Sequence, residues 1–411
     1  MKELFPFIGF EEGKLKVEGV FVEEVARKVG TPVYIYSKRA IEEAFKEFNF
    51  TYLTAFAVKS NSNVSILRLL KDLGAGADTV SIGEIFRALT AGIEPKKIVF
   101  AGVGKREEEI EFALERGILM FNVESKGELL KIEEVAKKLN KRAPVAVRVN
   151  PEVDPKTHPY IATGLKNSKF GVDFESALEL YKIAKESKYL EPIGIHFHIG
   201  SQIKELSAFK EASLKVRDFV KELRSERIEI ELFDAGGGIG INYEPFKEPP
   251  SVRKLSEILK PIVKELGLKL ILEPGRRIVG NAGVLITQVL YVKRNKEKTF
   301  YIVDAGMNDL ARPSLYKAYH YIDGTTYKEK RVKATVVGPI CESGDVFAED
   351  RELPELKEGD YLAIFSTGAY GFSMASNYNS RPRPAEVLID GDSYKVIRER
   401  ETLASLIERE F

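Results

Sequence analysis

Tryptophan is absent from the 411 residues, glutamine occurs only at Gln202 and Gln288, methionine four times, and cysteine once, as Cys341. A single cysteine excludes an intramolecular disulfide and fits a reducing compartment. There is no surplus of charge either: 63 Lys and Arg against 62 Asp and Glu give a formal net charge of +1. No global field therefore favours nucleic acid or an anionic membrane. No apolar run approaches the roughly 18 residues of a membrane span. The start, MKELFPFIGFEEGKLKVEG, breaks its apolar residues with charges and has no signal-type apolar core. These absences predict a cytoplasmic protein that binds neither nucleic acid nor membrane. The Lys/Glu-rich, Gln-, Cys- and Met-poor composition is similar to that of heat-adapted proteins.

What is present is an ordinary globular balance, 44% apolar and 30% charged, over a length that the usual domain size divides into two or three. Between residues 30 and 282 short apolar runs alternate with amphipathic segments. TYLTAFAV (51–58), AGADTV (75–80), KIVFAG (97–102), ILMFNV (118–123), PVAVRVN (144–150), PIGIHFHIG (192–200), IELFDAG (230–236) and KLILEP (269–274) read as buried strands. Between them, stretches such as VSILRLLKDLG and EEEIEFALERG repeat apolar residues at three and four and end in Gly. Eight strands that each alternate with a helix over about 250 residues is the arithmetic of a (β/α)8 barrel, with an open doubly wound sheet as the competitor. After residue 283, runs such as GVLITQVLYVKRN, KTFYIVDAG and RVKATVVGPI predict an all-β domain, which the first 26 residues complete. The expected division is thus a barrel over 27–282 and a β-rich domain of 1–26 with 283–411. Two stretches, 151–171 and 366–384, are too long for plain connectors, a length that usually marks function.

In such a barrel the active site lies at the C-terminal strand ends. Those ends carry Lys59, Asp78, Arg148, His198, Ser201, Gly236, Gly237, Gly238 and Glu273. Lys59 leaves an apolar strand, where desolvation favours a neutral, nucleophilic amine; a lysine snorkelling at a barrel rim fits the position equally well. The triple glycine lets backbone amides approach an anion, or simply makes a tight turn, and it lacks the register of a dinucleotide fingerprint. Glu273-Pro-Gly-Arg276 suits either the pairing of a carboxylate with a protonated heterocyclic nitrogen or a structural ion pair. His196 and His198, two apart, share a face on an extended strand, as in some metal-dependent barrel hydrolases. With four His in all (158, 196, 198 and 320) and no carboxylate or Cys spaced to complete a ligand set, no metal is expected. Cys341 taken alone reads first as a small buried hydrophobe.

Together these motifs resemble the diaminopimelate decarboxylases, pyridoxal 5′-phosphate (PLP) enzymes of the alanine-racemase-like group that also holds ornithine and arginine decarboxylases. The likeness runs through AVKSN around Lys59, GADTVSIGE (76–84), RVNP (148–151), THPYIATGLKNSKFG (157–171), HFHIGSQI (196–203) and DAGGGIG (234–240). It continues in EPGR (273–276), RPSLY (312–316), CESGD (341–345) and GAYGFSMASNYNSRPRP (368–384). The resemblance implies that Lys59 holds PLP covalently, that His198 stacks on its ring, and that Glu273 pairs with its pyridine nitrogen. Ser201, Gly236, Gly237, Gly238, Gly275 and Arg276 would surround its phosphate, and Asp78, Glu84 and Arg148 would support the ring and the lysine. Tyr370 would touch cofactor and substrate. Arg276, Arg312 and Tyr316 would clamp the substrate's distal carboxylate and Glu342 its distal amine. Cys341 would be the general acid, supplied with Glu342 across a homodimer interface.

The implied reaction is decarboxylation of meso-2,6-diaminopimelate to L-lysine and CO2, the last step of lysine biosynthesis, in a dimer with shared sites. A broad-specificity ornithine, lysine or arginine decarboxylase of the same fold is the alternative, and a non-catalytic PLP carrier a more distant one. One position departs from the pattern: Arg277 stands where many relatives carry a small hydroxyl residue, which leaves the local charge beside the clamp open.

Overall fold

The computed structural model describes residues 2–154 and 168–410, so most of the THPYIATGLKNSKFG motif lies outside the described residues. The chain folds into two compact units. One comprises Phe45–Gly240 and Pro249–Arg277; the other comprises Met1–Ala44, Ile241–Glu248 and Ile278–Phe411.

In the first unit, all eight apolar runs become parallel strands of a closed barrel. In chain order they are Leu53–Ala57, Gly76–Thr79, Ile98–Phe100, Met120–Val123, Ala143–Arg148, Leu190–His196, Leu232–Asp234 and Lys269–Leu272. The last pairs with the first, Ile271 with Leu53 and Leu272 with Thr54, which rules out the open sheet. Leu53, Ala55, Val99, Met120, Ala146, Leu232 and Ile271 form one buried cluster, so the barrel has a packed core rather than a pore. Buried polar residues gather at the C-terminal strand ends, where Asp78, Asn122, Arg148, His196, Asp234 and Glu273 are all buried.

Local sequence builds the turns that follow those ends. Ser81 accepts a hydrogen bond from the backbone N–H of Glu84 at 3.2 Å, while the Glu84 carboxylate accepts that of Val80 at 2.8 Å. Ser125 and Glu128 repeat the device, at 3.2 Å to Ser125 and 2.9 Å from Glu124 N–H. This reciprocal Ser-x-x-Glu capping starts the helices Ile82–Thr90 and Lys126–Lys138 just past their strands. It also aims Glu84 back toward the strand end that carries Asp78.

The second unit holds a nine-stranded sheet and a separate four-stranded meander built from the first 21 residues. Its core gathers Phe5, Ile8, Leu15 and Val17 of the meander with Val33, Ile35, Val284, Phe365 and Val387. The last two strands are joined by a two-residue hairpin turn, Gly391-Asp392, with Asp390 opposite Ser393 and Gly391 at φ 60°. Two strands depart from the reading of the sequence. Val33–Ser37, inside the stretch assigned to the barrel, pairs instead with Gly283–Arg294 and Ala385–Asp390. Val346–Pro354, with Glu349, Asp350, Arg351 and Glu352 at its centre, forms an outer strand of the nine-stranded sheet, where charge protects an unpaired edge. Among the described residues no helix is long and apolar enough to cross a membrane.

Candidate active site

The first barrel strand stops at Ala57, and a single 3-10 turn, Val58–Ser60, carries Lys59. Its ammonium donates to the carboxylate of Asp78, which is buried in the next strand. Burial raises the Asp78 pKa, Glu273 adds to the effect, and Lys59 opposes it. Desolvation also pushes the Glu84 carboxyl up, to about 7, against the pull of the Lys59 charge. Lys59 thus sits among carboxyl groups that are reluctant to ionise without it.

Glu273 follows the eighth strand directly and is buried. One carboxylate oxygen lies 3.2 Å from His196 Nε2, and the other accepts from Asn122 Nδ2 at 3.4 Å. Burial alone would raise its pKa, but His196 and then Lys59 outweigh burial and hold it well below the usual carboxylate range. Its neighbour Asp234 goes the other way, raised well above normal by burial and by Glu273. The site therefore keeps one carboxyl charged and the other neutral. His196, Asp234 and Glu273 bring ligand atoms within 4.8 Å of one another, a juxtaposition of metal type that sequence spacing hid because each comes from a different strand.

The glycine turn after the seventh strand leaves no room for side chains. A Cβ on Gly237 would lie 2.0 Å from the Glu273 carbonyl oxygen, and one on Gly238 1.9 Å from that of Gly200. Gly236 and Gly238 have φ of 65° and 98°, which favour glycine. Gly236 N–H donates to Asp234 Oδ1 at 2.9 Å, and Gly237 N–H donates to His198 Nδ1 at 3.1 Å. The second bond places the imidazole proton on Nε2. Desolvation, then the charges of Arg148 and Lys59, hold the His198 pKa well below its ordinary value, so the ring is neutral. The strand ends at His196, so the two histidines do not act as a pair: one faces Glu273, the other is pinned to the glycine turn.

Arg276 Nη2 donates to Ser201 Oγ at 3.2 Å, and Gly275 lets this turn approach Lys59's own turn: a Cβ there would lie 2.8 Å from Ser60 Oγ. Arg148 donates from Nη1 to Glu124 at 3.1 Å and from Nη2 to the His198 carbonyl at 3.4 Å. Arg277 forms a bidentate pair with Glu47 through contacts of 2.8 to 3.1 Å, so its extra charge is answered locally.

In the other unit, the helix Arg312–Tyr316 carries a buried Arg312 and a half-buried Tyr316. Cys341 and Glu342 are exposed, which overturns the expectation of a core thiol. Their turn is built on the buried Asp345, which accepts from Met307 N–H at 2.7 Å and Ile340 N–H at 2.8 Å. Gly338 is required beside it, since a Cβ would come 2.3 Å from the Asp345 carboxylate. The Tyr378 hydroxyl donates to Glu342, and Tyr370 is held at φ 55°, a left-handed conformation that costs a bulky residue about 1 kcal/mol.

Residues 37–280 match the family model for the pyridoxal binding domain of pyridoxal-dependent decarboxylases. A diaminopimelate decarboxylase from Aquifex aeolicus is 50% identical over 99% of this chain and 98% of its own length. The chain belongs to the pyridoxal-dependent diaminopimelate decarboxylase family. Among solved structures, the diaminopimelate decarboxylase of Helicobacter pylori complexed with L-lysine has a TM-score of 0.91 at 50% identity, covering 95% of this chain and 99% of its own. The enzyme of M. jannaschii, also in complex with L-lysine, has a TM-score of 0.94 at 42% identity, covering 98% and 97%.

The residues present fit the cofactor of this decarboxylase family. A ring nitrogen that must stay protonated needs an anionic partner, and Glu273 is the buried carboxylate held charged. A phosphate needs close backbone approach, and the Cβ-excluding turn Gly236–Gly238 offers it beside Arg276 and Ser201. An aldehyde needs an amine, and Lys59 is placed for it at the end of the first strand. Sequence reading missed Asn122, Glu124 and Asp234 as partners and gave His196 no task, although all four stand at or just past a C-terminal strand end. That position was the available signal.

Proposed function

We propose that this chain decarboxylates meso-2,6-diaminopimelate to L-lysine and CO2 in the cytoplasm, as a PLP-dependent homodimer with shared sites. The observation that carries the reading is the buried Glu273, held anionic by His196 within the same unit as Lys59. The substrate assignment is supported by relatives about half identical over nearly their whole length and by the name of the Helicobacter pylori complex with L-lysine.

Bound PLP supplies an electron sink for the bond pair left on the α-carbon when CO2 departs. Lys59 holds the cofactor, with Asp78 as the acceptor for its proton and Glu84 and Arg148 in support. Glu273 keeps a proton on the ring nitrogen, and His198, neutral and fixed in one tautomer, backs the ring without adding charge. The Gly236–Gly238 turn, Ser201, Gly275 and Arg276 hold the phosphate. Arg276, Arg312 and Tyr316 bind the distal carboxylate, whose two oxygens suit forked guanidinium donors. Glu342 takes the distal amine, Tyr370 touches cofactor and substrate, and the Cys341 thiol gives its proton to the α-carbon.

The exposed Cys341 and Glu342 suit a site completed by the partner subunit. The same proposal divides the chain into a cofactor-holding barrel and a β-rich domain that supplies the dimer contacts. A simple diamino acid such as ornithine lacks the distal carboxylate, so the arginines favour diaminopimelate over a broad-specificity reading. Borohydride reduction of the yellow holoenzyme followed by peptide mapping tests the cofactor site. The label is expected on Lys59, and a label on another lysine would overturn the assignment.

A further inference from the structure

The arginine assigned to the distal carboxylate is itself held in an unusual way. Arg312 Nη1 lies 2.8 Å from Nε2 of His320, which is fully buried. The other ring nitrogen, Nδ1, lies 2.8 Å from the carbonyl oxygen of Phe365. A carbonyl only accepts, so Nδ1 carries the proton and Nε2 offers a lone pair; a guanidinium only donates, so one tautomer satisfies both contacts. The Arg312 guanidinium also lies 4.8 Å over the ring of Tyr243, and that ring meets His320 edge to face at 5.1 Å and 81°. Arg351 donates to the His320 carbonyl, which fixes the backbone from which the imidazole projects. Arg312 is thus fixed by a neutral acceptor at one nitrogen and an aromatic face beside its plane.

We propose that His320, backed by Tyr243, is a positioning residue that orients Arg312 and so sets the requirement for a carboxylate at the far end of the substrate. A neutral acceptor aligns the fork without cancelling its charge, whereas a carboxylate at the same place would align it and neutralise it. Alignment matters because the two parallel hydrogen bonds of a guanidinium–carboxylate pair form together only when the planar fork faces the carboxylate. The proposal rests on the assignment of Arg312 to the substrate carboxylate, and the experiment separates the two.

The PLP-loaded, full-length enzyme is titrated with L-lysine and with cadaverine, which is L-lysine without its carboxylate, and kcat and KM are measured for diaminopimelate. His320→Ala is expected to weaken L-lysine about tenfold and to raise KM similarly, with cadaverine affinity and kcat little changed. His320→Gln, which keeps an acceptor near the place of Nε2, is expected to recover most of the loss. If L-lysine and cadaverine weaken together, or neither does, the positioning role is overturned. Should His320→Ala not fold, Tyr243→Leu decides by the same criterion, because Tyr243 is only half-buried and its loss frees the same guanidinium plane. If Arg312→Lys leaves L-lysine affinity unchanged, the clamp assignment itself fails. If Arg312→Lys weakens L-lysine while neither His320 nor Tyr243 variants do, the clamp stands and the positioning inference falls.

Discussion

Glu273 Oε2 and His196 Nε2 meet at 3.2 Å inside the barrel, across the strand that ends in Asp234. Both side chains are buried, so the contact decides a protonation state rather than a surface preference. Without His196, burial would lose its largest opponent and the Glu273 carboxyl would move up. His196→Asn is therefore expected to shift the acidic limb of the kcat profile to higher pH, with activity lost earlier as pH falls. Glu273→Gln is expected to lower kcat by about 10² to 10³ while keeping the reducible chromophore at Lys59. An unchanged pH profile in the first variant, or near-normal turnover in the second, contradicts the assignment of Glu273 to the ring nitrogen.

Glu84 makes a separate prediction about stability. Its carboxyl is raised from 4.5 to about 7, so between those values the native state binds more protons here than the unfolded chain does. Its contribution to stability is therefore fully present below about pH 4.5 and is lost as pH rises through about 7. Glu84→Gln keeps an acceptor for Val80 N–H but carries no titrating proton. Relative to the natural chain it is expected to gain roughly 3 kcal/mol at pH 8 and little at pH 4.5. Denaturant midpoints at the two pH values measure the difference, and an equal shift at both would contradict it.

Most of the barrel was legible before any coordinates because strands buried on both faces read as unbroken apolar runs, and eight of them at barrel spacing admit few folds. Candidate site residues at strand ends are legible for the same reason: the C-terminal end of a barrel strand is where this fold places function. The partners were not. Asp234 with Glu273, Glu124 with Arg148 and His320 with Arg312 join residues 39, 24 and 8 apart, and no local pattern announces such pairings. Val33–Ser37 was hidden differently, since VYIYS reads as a buried strand but nothing in it selects the sheet it joins. Val346–Pro354 was hidden by its charges, which an edge strand tolerates and a central one does not.

The proposal that two subunits share each active site predicts that two inactive variants restore each other. Cys341→Ala is expected to keep the chromophore and lose most turnover, and Lys59→Ala to lose both. After the two are unfolded or dissociated together and reassembled at equal amounts, random pairing in a two-fold dimer leaves about a quarter of the sites intact. Activity near that fraction supports a Cys341 supplied by the partner subunit. No recovery, or a fully active monomer at high dilution, contradicts it.

Arg277, which the resemblance marks as a departure from the family pattern, is paired with Glu47, and that pairing predicts that its charge is silent in catalysis. Arg277→Ser is expected to keep kcat/KM for diaminopimelate within about threefold and to cost about 1 kcal/mol of stability, as for a partly exposed bidentate pair. A large change in KM would show that its charge reaches the substrate.

Arg276 and Arg312, as assigned, require a second carboxylate on the substrate. Release of CO2 by the purified holoenzyme, compared at equal concentrations of meso-diaminopimelate, ornithine, lysine and arginine, tests that requirement most directly. Turnover of diaminopimelate is expected at a kcat/KM at least about 10² above the other three, the loss expected when buried cationic groups are left without their partner. Comparable or greater turnover of any simple diamino acid would contradict it.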